Sequence, residues 1–138
     1  MAIWTRPGIF FAVSELSCFV SKPLKTHWTA AKLLLRYLRG TLDAALWYRG
    51  GTARDNLLWG YVDSDWAGDT QTRRSTSGYV LMLNGAAVAW KSKRQPLVTM
   101  STAEAKYIAE SSMVQELIYL WRLLDALGFP QPGASVVY

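Results

Sequence analysis

Cysteine and histidine are nearly absent from this chain: its 138 residues hold one of each, Cys18 and His27. A single thiol excludes an internal disulfide framework and any cysteine-rich zinc site, and a single histidine excludes an H-E-x-x-H centre. Long apolar runs are missing too. None reaches the ~18 residues that a membrane span requires, and Glu15 breaks the apolar stretch that follows Arg6. No secretory signal and no membrane partner are therefore expected, and an intracellular, reduced setting is. Acidic residues are scarce in the first fifty positions, where Arg6, Lys22, Lys25, Lys32, Arg36, Arg39 and Arg49 face only Glu15 and Asp43. The later residues balance, so the net +5 belongs to the first third. That surplus suits phosphate contacts or, equally, the wet faces of helices.

What is present argues for a packed core. Half the residues are hydrophobic (51%) and 13% are aromatic, which excludes wholesale disorder. The length suits one compact domain with an appended segment. Apolar spacing over Pro7–Val20 and Thr26–Arg39 predicts two helices. The second carries Trp28, Ala31, Leu34, Leu35 and Leu38 on one face and Lys32, Arg36 and Arg39 on the other, with Gly40 as its stop. Ala45–Tyr48 reads as a short strand, and Gly50-Gly51 through Asn56 as a break between residues 1–50 and 51–138. Beyond it the period falls to two. Leu57–Val62, Gly78–Leu83 and Ala86–Trp90 read as strands, the last two joined by Asn84-Gly85, a strong hairpin signal. Lys91–Pro96 reads as a basic loop and Leu97–Met100 as another short strand. Thr102–Leu127 is a long helix whose wide apolar stripe predicts burial along most of its length. Ser135–Tyr138 begins a further strand, expected to return parallel beside the strand that ends at Asp63. The fold class is α/β with a mixed sheet.

Two constellations carry chemistry. In V-D-S-D-W-A-G-D (62–69), Asp63 and Asp65 lie two apart, which puts both carboxylates on one strand face. Such a pair suits a hard divalent cation; Asx turns at the strand end account for Asp65 and Asp69 as well. In S-T-A-E-A-K-Y-I-A (101–109), Ser101 and Glu104 have capping-box spacing, which explains Glu104 without catalysis. Lys106 opposes the helix dipole and has no such local explanation. A third, basic group comprises Arg73, Arg74, Lys91, Lys93 and Arg94 with Trp90 beside it, suited to a nucleic-acid backbone or to solvent. His27 is expected to cap its helix or face water, and Cys18 to lie in the core.

Taken together, G-Y-V-D-S-D-W-A-G-D (60–69), R-R-S-T-S-G-Y-V (73–80), A-W-K-S-K-R-Q-P (89–96), S-T-A-E-A-K-Y-I-A (101–109) and L-W-R-L-L-D-A-L-G (120–128) resemble the RNase H region of copia-type LTR retrotransposon polyproteins. W-T-R-P (4–7) and H-W-T-A-A-K-L-L-L-R-Y-L-R-G-T (27–41) resemble the end of the neighbouring reverse-transcriptase region. The resemblance implies an RNase H-like mixed sheet with a long buried helix, truncated after the fourth strand and preceded by a helical segment. It implies cleavage of the RNA strand of RNA–DNA hybrids with two divalent ions, Mg2+ or Mn2+, held by several carboxylates. Asp63 matches the first catalytic aspartate, and Asp65 is given a supporting metal role.

Two departures follow from the same comparison. Lys106 stands where the family carries a glutamate; Glu104 is the candidate substitute, though it lies about 200° away around the helix at ~100° per residue. The chain also stops just short of the family's next aspartate. Three readings stay open: a remnant domain with impaired catalysis and residual nucleic-acid binding through Lys32, Arg36, Arg39, Arg73, Arg74, Lys91, Lys93 and Arg94; an active ribonuclease H on RNA–DNA hybrids; and a recruited protein-interaction module that self-associates through an exposed sheet edge.

Overall fold

The computed structural model describes residues 4–50 and 56–138. They form two compact units, one ending at Leu46 and the other starting at Trp47. The division falls just ahead of the Gly50-Gly51 break, of which residues 51–55 lie outside the described residues.

The first unit is helical. Pro7 opens a single 3-10 turn (Pro7–Ile9), where a residue without an N–H is tolerated, and α1 (Phe10–Ser17) continues from it. Pro23 follows α1, and α2 (Lys25–Gly40) starts after it. At that start the Leu24 amide donates to His27 Nδ1 at 3.1 Å, while the Phe19 ring stacks on His27 at 4.0 Å. His27 thus caps its own helix. Half-buried positions His27, Ala31, Leu34 and Leu38 recur at helical spacing and form the packed stripe. That stripe is narrower than the sequence suggests, since Trp28 (61%) and Leu35 (62%) are exposed on its border. Cys18 is exposed as well, not core: α1 stops at Ser17, which leaves the thiol on the last turn.

The second unit is mixed α/β. Three strands, β1 (Trp59–Asp65), β2 (Thr76–Leu83) and β3 (Ala86–Arg94), make an antiparallel sheet in the order β1-β2-β3. Asn84 (φ 52°) and Gly85 (φ 82°) both adopt the left-handed conformation of a tight hairpin turn. The long helix α3 (Thr102–Ala126) lies over β1 and β2. Leu58, Tyr79, Leu81 and Met113 form the core, with Val62, Leu117, Leu120 and Trp121 packed round it. Gly60 is where helix and sheet meet most closely: a Cβ there would sit 2.6 Å from Met113 Cε and press on the Val80 carbonyl. Gly128 (φ 85°) ends the helix, with the Phe129 amide returning to Leu124 O at 2.8 Å.

Several expectations need correction. Lys91, Lys93 and Arg94 belong to β3 rather than to a loop, because pairing with β2 runs on to Thr76↔Arg94. Leu97–Met100 is not a strand; among the described residues no neighbour pairs with it, and Thr99 turns inward to bond the Ser75 hydroxyl at 3.0 Å. Ala45–Tyr48 is not one either, although the Tyr48 hydroxyl donates to Ala87 O at 2.7 Å. α3 is buried only along its first half, through Ala105, Ala109 and Met113. Val114 (43%) and Ile118 (45%) are exposed because the sheet covers one side of the helix. The expected last strand is reduced to one parallel bridge, Gly60↔Val137, with Gly60 N–H to Val136 O at 3.1 Å and Val62 N–H to Tyr138 O at 2.9 Å.

Candidate functional site

β1 delivers the paired aspartates. Asp63 and Asp65 are exposed and alternate with half-buried Val62 and Ser64, so they emerge from the face away from α3. Both carboxylates have backbone work: Asp63 Oδ1 accepts from the Ser64 amide at 2.8 Å, and Asp65 Oδ1 accepts from the Thr76 amide. Gly68 packs onto Asp65 so closely that any Cβ would collide with its carboxylate.

Glu104 belongs to the other layer. Ser101 caps α3, its hydroxyl accepting from the Glu104 amide at 3.1 Å, while Glu104 Oε2 accepts from the Met100 amide at 2.6 Å. Both ends of Glu104 thus serve the helix start, where a carboxylate also complements the dipole. Lys106 is exposed two residues on. Among the described residues, no three His, Cys, Asp or Glu side chains converge where they could hold a metal ion. A two-metal site needs several carboxylates to balance its charge. The Asp63–Asp65 pair does not fit that requirement.

The basic residues separate into three places. Lys32, Arg36 and Arg39 are exposed on α2; at ~100° per residue they share one sector with Lys25. Arg73 and Arg74 are exposed in the β1–β2 loop, with Arg73 at φ 57° and its amide donating to Asp69 O at 2.7 Å. Lys91 and Lys93 share one face of β3, opposite Tyr79 and Ser77, and Lys91 Nζ donates to Ser112 Oγ at 3.3 Å. Arg94 takes a different role. Its Nη1 lies 2.8 Å from Asp69 Oδ2, so this guanidinium braces a loop. The Thr72 hydroxyl first, then the amides of Gln71 and Thr72 and the Arg94 charge, hold the Asp69 carboxyl below its ordinary value against the opposing effect of burial.

Around these groups runs a buried polar network that motif reading missed. Ser75 Oγ accepts from the Ala67 amide at 3.0 Å and pairs with Thr99 Oγ1, while Trp66 Nε1 donates to Thr99 O at 3.2 Å. Gln95 is 2% exposed; its Nε2 donates to Ser77 Oγ (2.8 Å) and Ala105 O (2.9 Å), and its amide to Ser75 O (2.7 Å). These bonds tie the loop after the aspartates to the start of α3. The one signal in sequence was polar residues crowding two segments, which reads equally as solvated loop.

No family model matches the chain, and no solved structure matches it. Curated proteins do. The retrovirus-related Pol polyprotein from transposon TNT 1-94 of Nicotiana tabacum is 45% identical over 129 residues, covering 94% of this chain and 10% of the polyprotein. The Pol polyprotein from transposon RE2 of Arabidopsis thaliana is 38% identical over 135 residues, 98% of this chain and 9% of the polyprotein. The secreted RxLR effector protein 161 of Plasmopara viticola is 48% identical over 121 residues, 87% of this chain and 83% of the effector. The chain spans a tenth or less of the two polyproteins and most of the effector's length. At 48% identity over most of the effector's length the chain belongs to one family with that protein, and at 38% and 45% identity it matches a segment of the retrovirus-related Pol polyproteins of retrotransposons.

Proposed function

We propose that this chain is a remnant RNase H-like domain of a copia-type retrotransposon Pol polyprotein, impaired in hydrolysis and retaining affinity for nucleic acid. The order of elements supports it: an antiparallel β1-β2-β3 sheet, a long helix across it, and a chain end that bridges β1 in parallel. The observation that carries the impairment is the state of the carboxylates. Asp63 and Asp65 stand as a pair, Glu104 is committed to the cap of α3, and Lys106 occupies the place where the resemblance implies a glutamate.

A labelled RNA–DNA hybrid incubated with Mg2+ or Mn2+ tests this. The wild type is expected to give no cleavage above that of Asp63→Asn, and Lys106→Glu is expected not to restore it. Metal-dependent cleavage that Asp63→Asn abolishes would establish the active ribonuclease H instead. One observation favours the interaction-module reading: Trp59, Tyr61 and Tyr138 cluster on the sheet face away from α3, at ring separations of 5.3–6.3 Å, with Tyr61 49% exposed. Light scattering that finds dimers, lost in Tyr61→Ser, would support it.

A further inference from the structure

A cleft of about 200 Å³ opens at the seam between the sheet and α3. Its floor comes from Ser77 and Tyr79 of β2 and its rim from Lys91 and Lys93 of β3, with Ile108 and Ser112 of α3 closing the far side. The register makes this arrangement: Ser77 faces Lys93 and Tyr79 faces Lys91, so two hydroxyls and two ammonium groups alternate on one side of the sheet. α3 adds Ser112 one turn after Ile108.

The polar groups offer donors. Ser77 Oγ accepts from Gln95 Nε2 and Ser112 Oγ accepts from Lys91 Nζ, which leaves each hydroxyl proton for another acceptor. Burial, with the Glu116 charge adding to it, pushes Tyr79 up to about 12, so its oxygen keeps its proton at neutral pH. No carboxylate is among the lining residues. Gln95, which also lines the cleft, has a buried Oε1 without a hydrogen-bond partner; its amide cannot be turned over to remedy this, because Nε2 is needed opposite the Ala105 carbonyl.

We propose that this cleft is a phosphoryl-binding site, in which Lys91 and Lys93 supply the charge and the Ser77, Tyr79 and Ser112 hydroxyls supply directed hydrogen bonds. Its volume is below the ~300 Å³ at which pockets begin to enclose whole small molecules. The ligand is therefore one phosphoryl group rather than an entire nucleotide. That group is either a free phosphate or the backbone of a strand lying across the rim. Nothing in this assignment requires the hydrolytic chemistry of the aspartates, which emerge from the other face of the sheet.

Titration calorimetry of the full chain with inorganic phosphate, at ionic strength held constant with sodium chloride, tests the site. Saturable binding is expected, weakened at least tenfold in Lys91→Gln/Lys93→Gln and unchanged in Lys22→Gln/Arg122→Gln, whose cations are exposed elsewhere. Circular dichroism establishes that both doubly substituted chains are folded. A single-stranded oligonucleotide lacking terminal phosphates identifies the source. The same tenfold loss assigns the site to strand phosphodiesters; strand binding insensitive to Lys91 and Lys93, with phosphate binding lost, assigns it to free phosphate. Absence of saturable phosphate binding, or a Lys91→Gln/Lys93→Gln chain that titrates like wild type, overturns the proposal. Failure of the oligonucleotide to bind at all, with phosphate still bound, removes the nucleic-acid reading and leaves this one standing.

Discussion

The Asp69 carboxylate accepts hydrogen bonds from the Gln71 amide at 3.0 Å and the Thr72 hydroxyl at 2.5 Å, and Arg94 pairs with it at 2.8 Å. Asp63 and Asp65, in the same short motif, accept from the Ser64 and Thr76 amides. A D-x-D pattern shows that carboxylates cluster; it does not show that backbone amides already hold them, since that depends on where the strand turns. Nor is there any local sign that Gln95 is buried, because the residues bonding it come from β2 and from α3. Asp69 makes a testable case. Its partners lower its folded pKa below the unfolded value near ~4, so the unfolded state binds the proton first as acid is added. The stabilisation is therefore present above the unfolded pKa and lost as pH falls through the folded one. Urea midpoints are expected to be lower for Asp69→Asn than for wild type at pH 7, with the gap closing below about pH 4. Equal loss of stability in both proteins between pH 5 and pH 3 would contradict the assignment.

At the scale of elements, the readable features were those set locally. Alternating residues and the Asn84-Gly85 turn identify β2 and β3, and the Ser101/Glu104 spacing marks the start of α3. What was misread depends on neighbours. Leu97–Met100 and Ala45–Tyr48 have strand-like composition but pair with no strand among the described residues. Lys91, Lys93 and Arg94 looked like a loop because charge tends to mark loops, yet β2 extends far enough to pair with them. The stripe on α3 is wide enough for burial on two sides, whereas the sheet covers one. The seam of sheet and helix rests on Gly60, a residue that simple patterning treats as a weakness in a strand. Gly60→Ala would place a methyl group against the Val80 carbonyl and Met113 Cε, and is expected to cost about 1–3 kcal/mol. Gly78 makes the control: a Cβ there meets the Lys91 carbonyl at 3.8 Å, an ordinary contact. Thermal unfolding should show a lowered midpoint for Gly60→Ala and little change, or a gain, for Gly78→Ala. Equal midpoints would show that helix and sheet do not meet as closely as described.

Across the whole molecule, charge and carboxylates are divided between the units. The first unit carries +4 of the net +5, while Asp63, Asp65 and Glu104 lie in the second unit, whose charges sum to +1 through Arg49. α2 carries no acidic residue, and its cations lie in one sector beside exposed Trp28, whose ring sits 5.5 Å from Lys32 Nζ. A duplex approaching that sector would exchange condensed counterions for Lys32, Arg36 and Arg39, each phosphate contact steepening the dependence of log K on log salt by about 0.9. Replacing all three by Gln is therefore expected to weaken binding to RNA–DNA hybrid and duplex DNA alike and to flatten the salt slope by about 2–3. Because the three side chains are exposed, the substituted chain should keep its circular dichroism and unfolding midpoint. Fluorescence anisotropy between 50 and about 200 mM salt would measure the slope. An unchanged slope would show that these cations face only solvent, and a loss confined to the hybrid would mean that α2 reads duplex shape rather than phosphate charge.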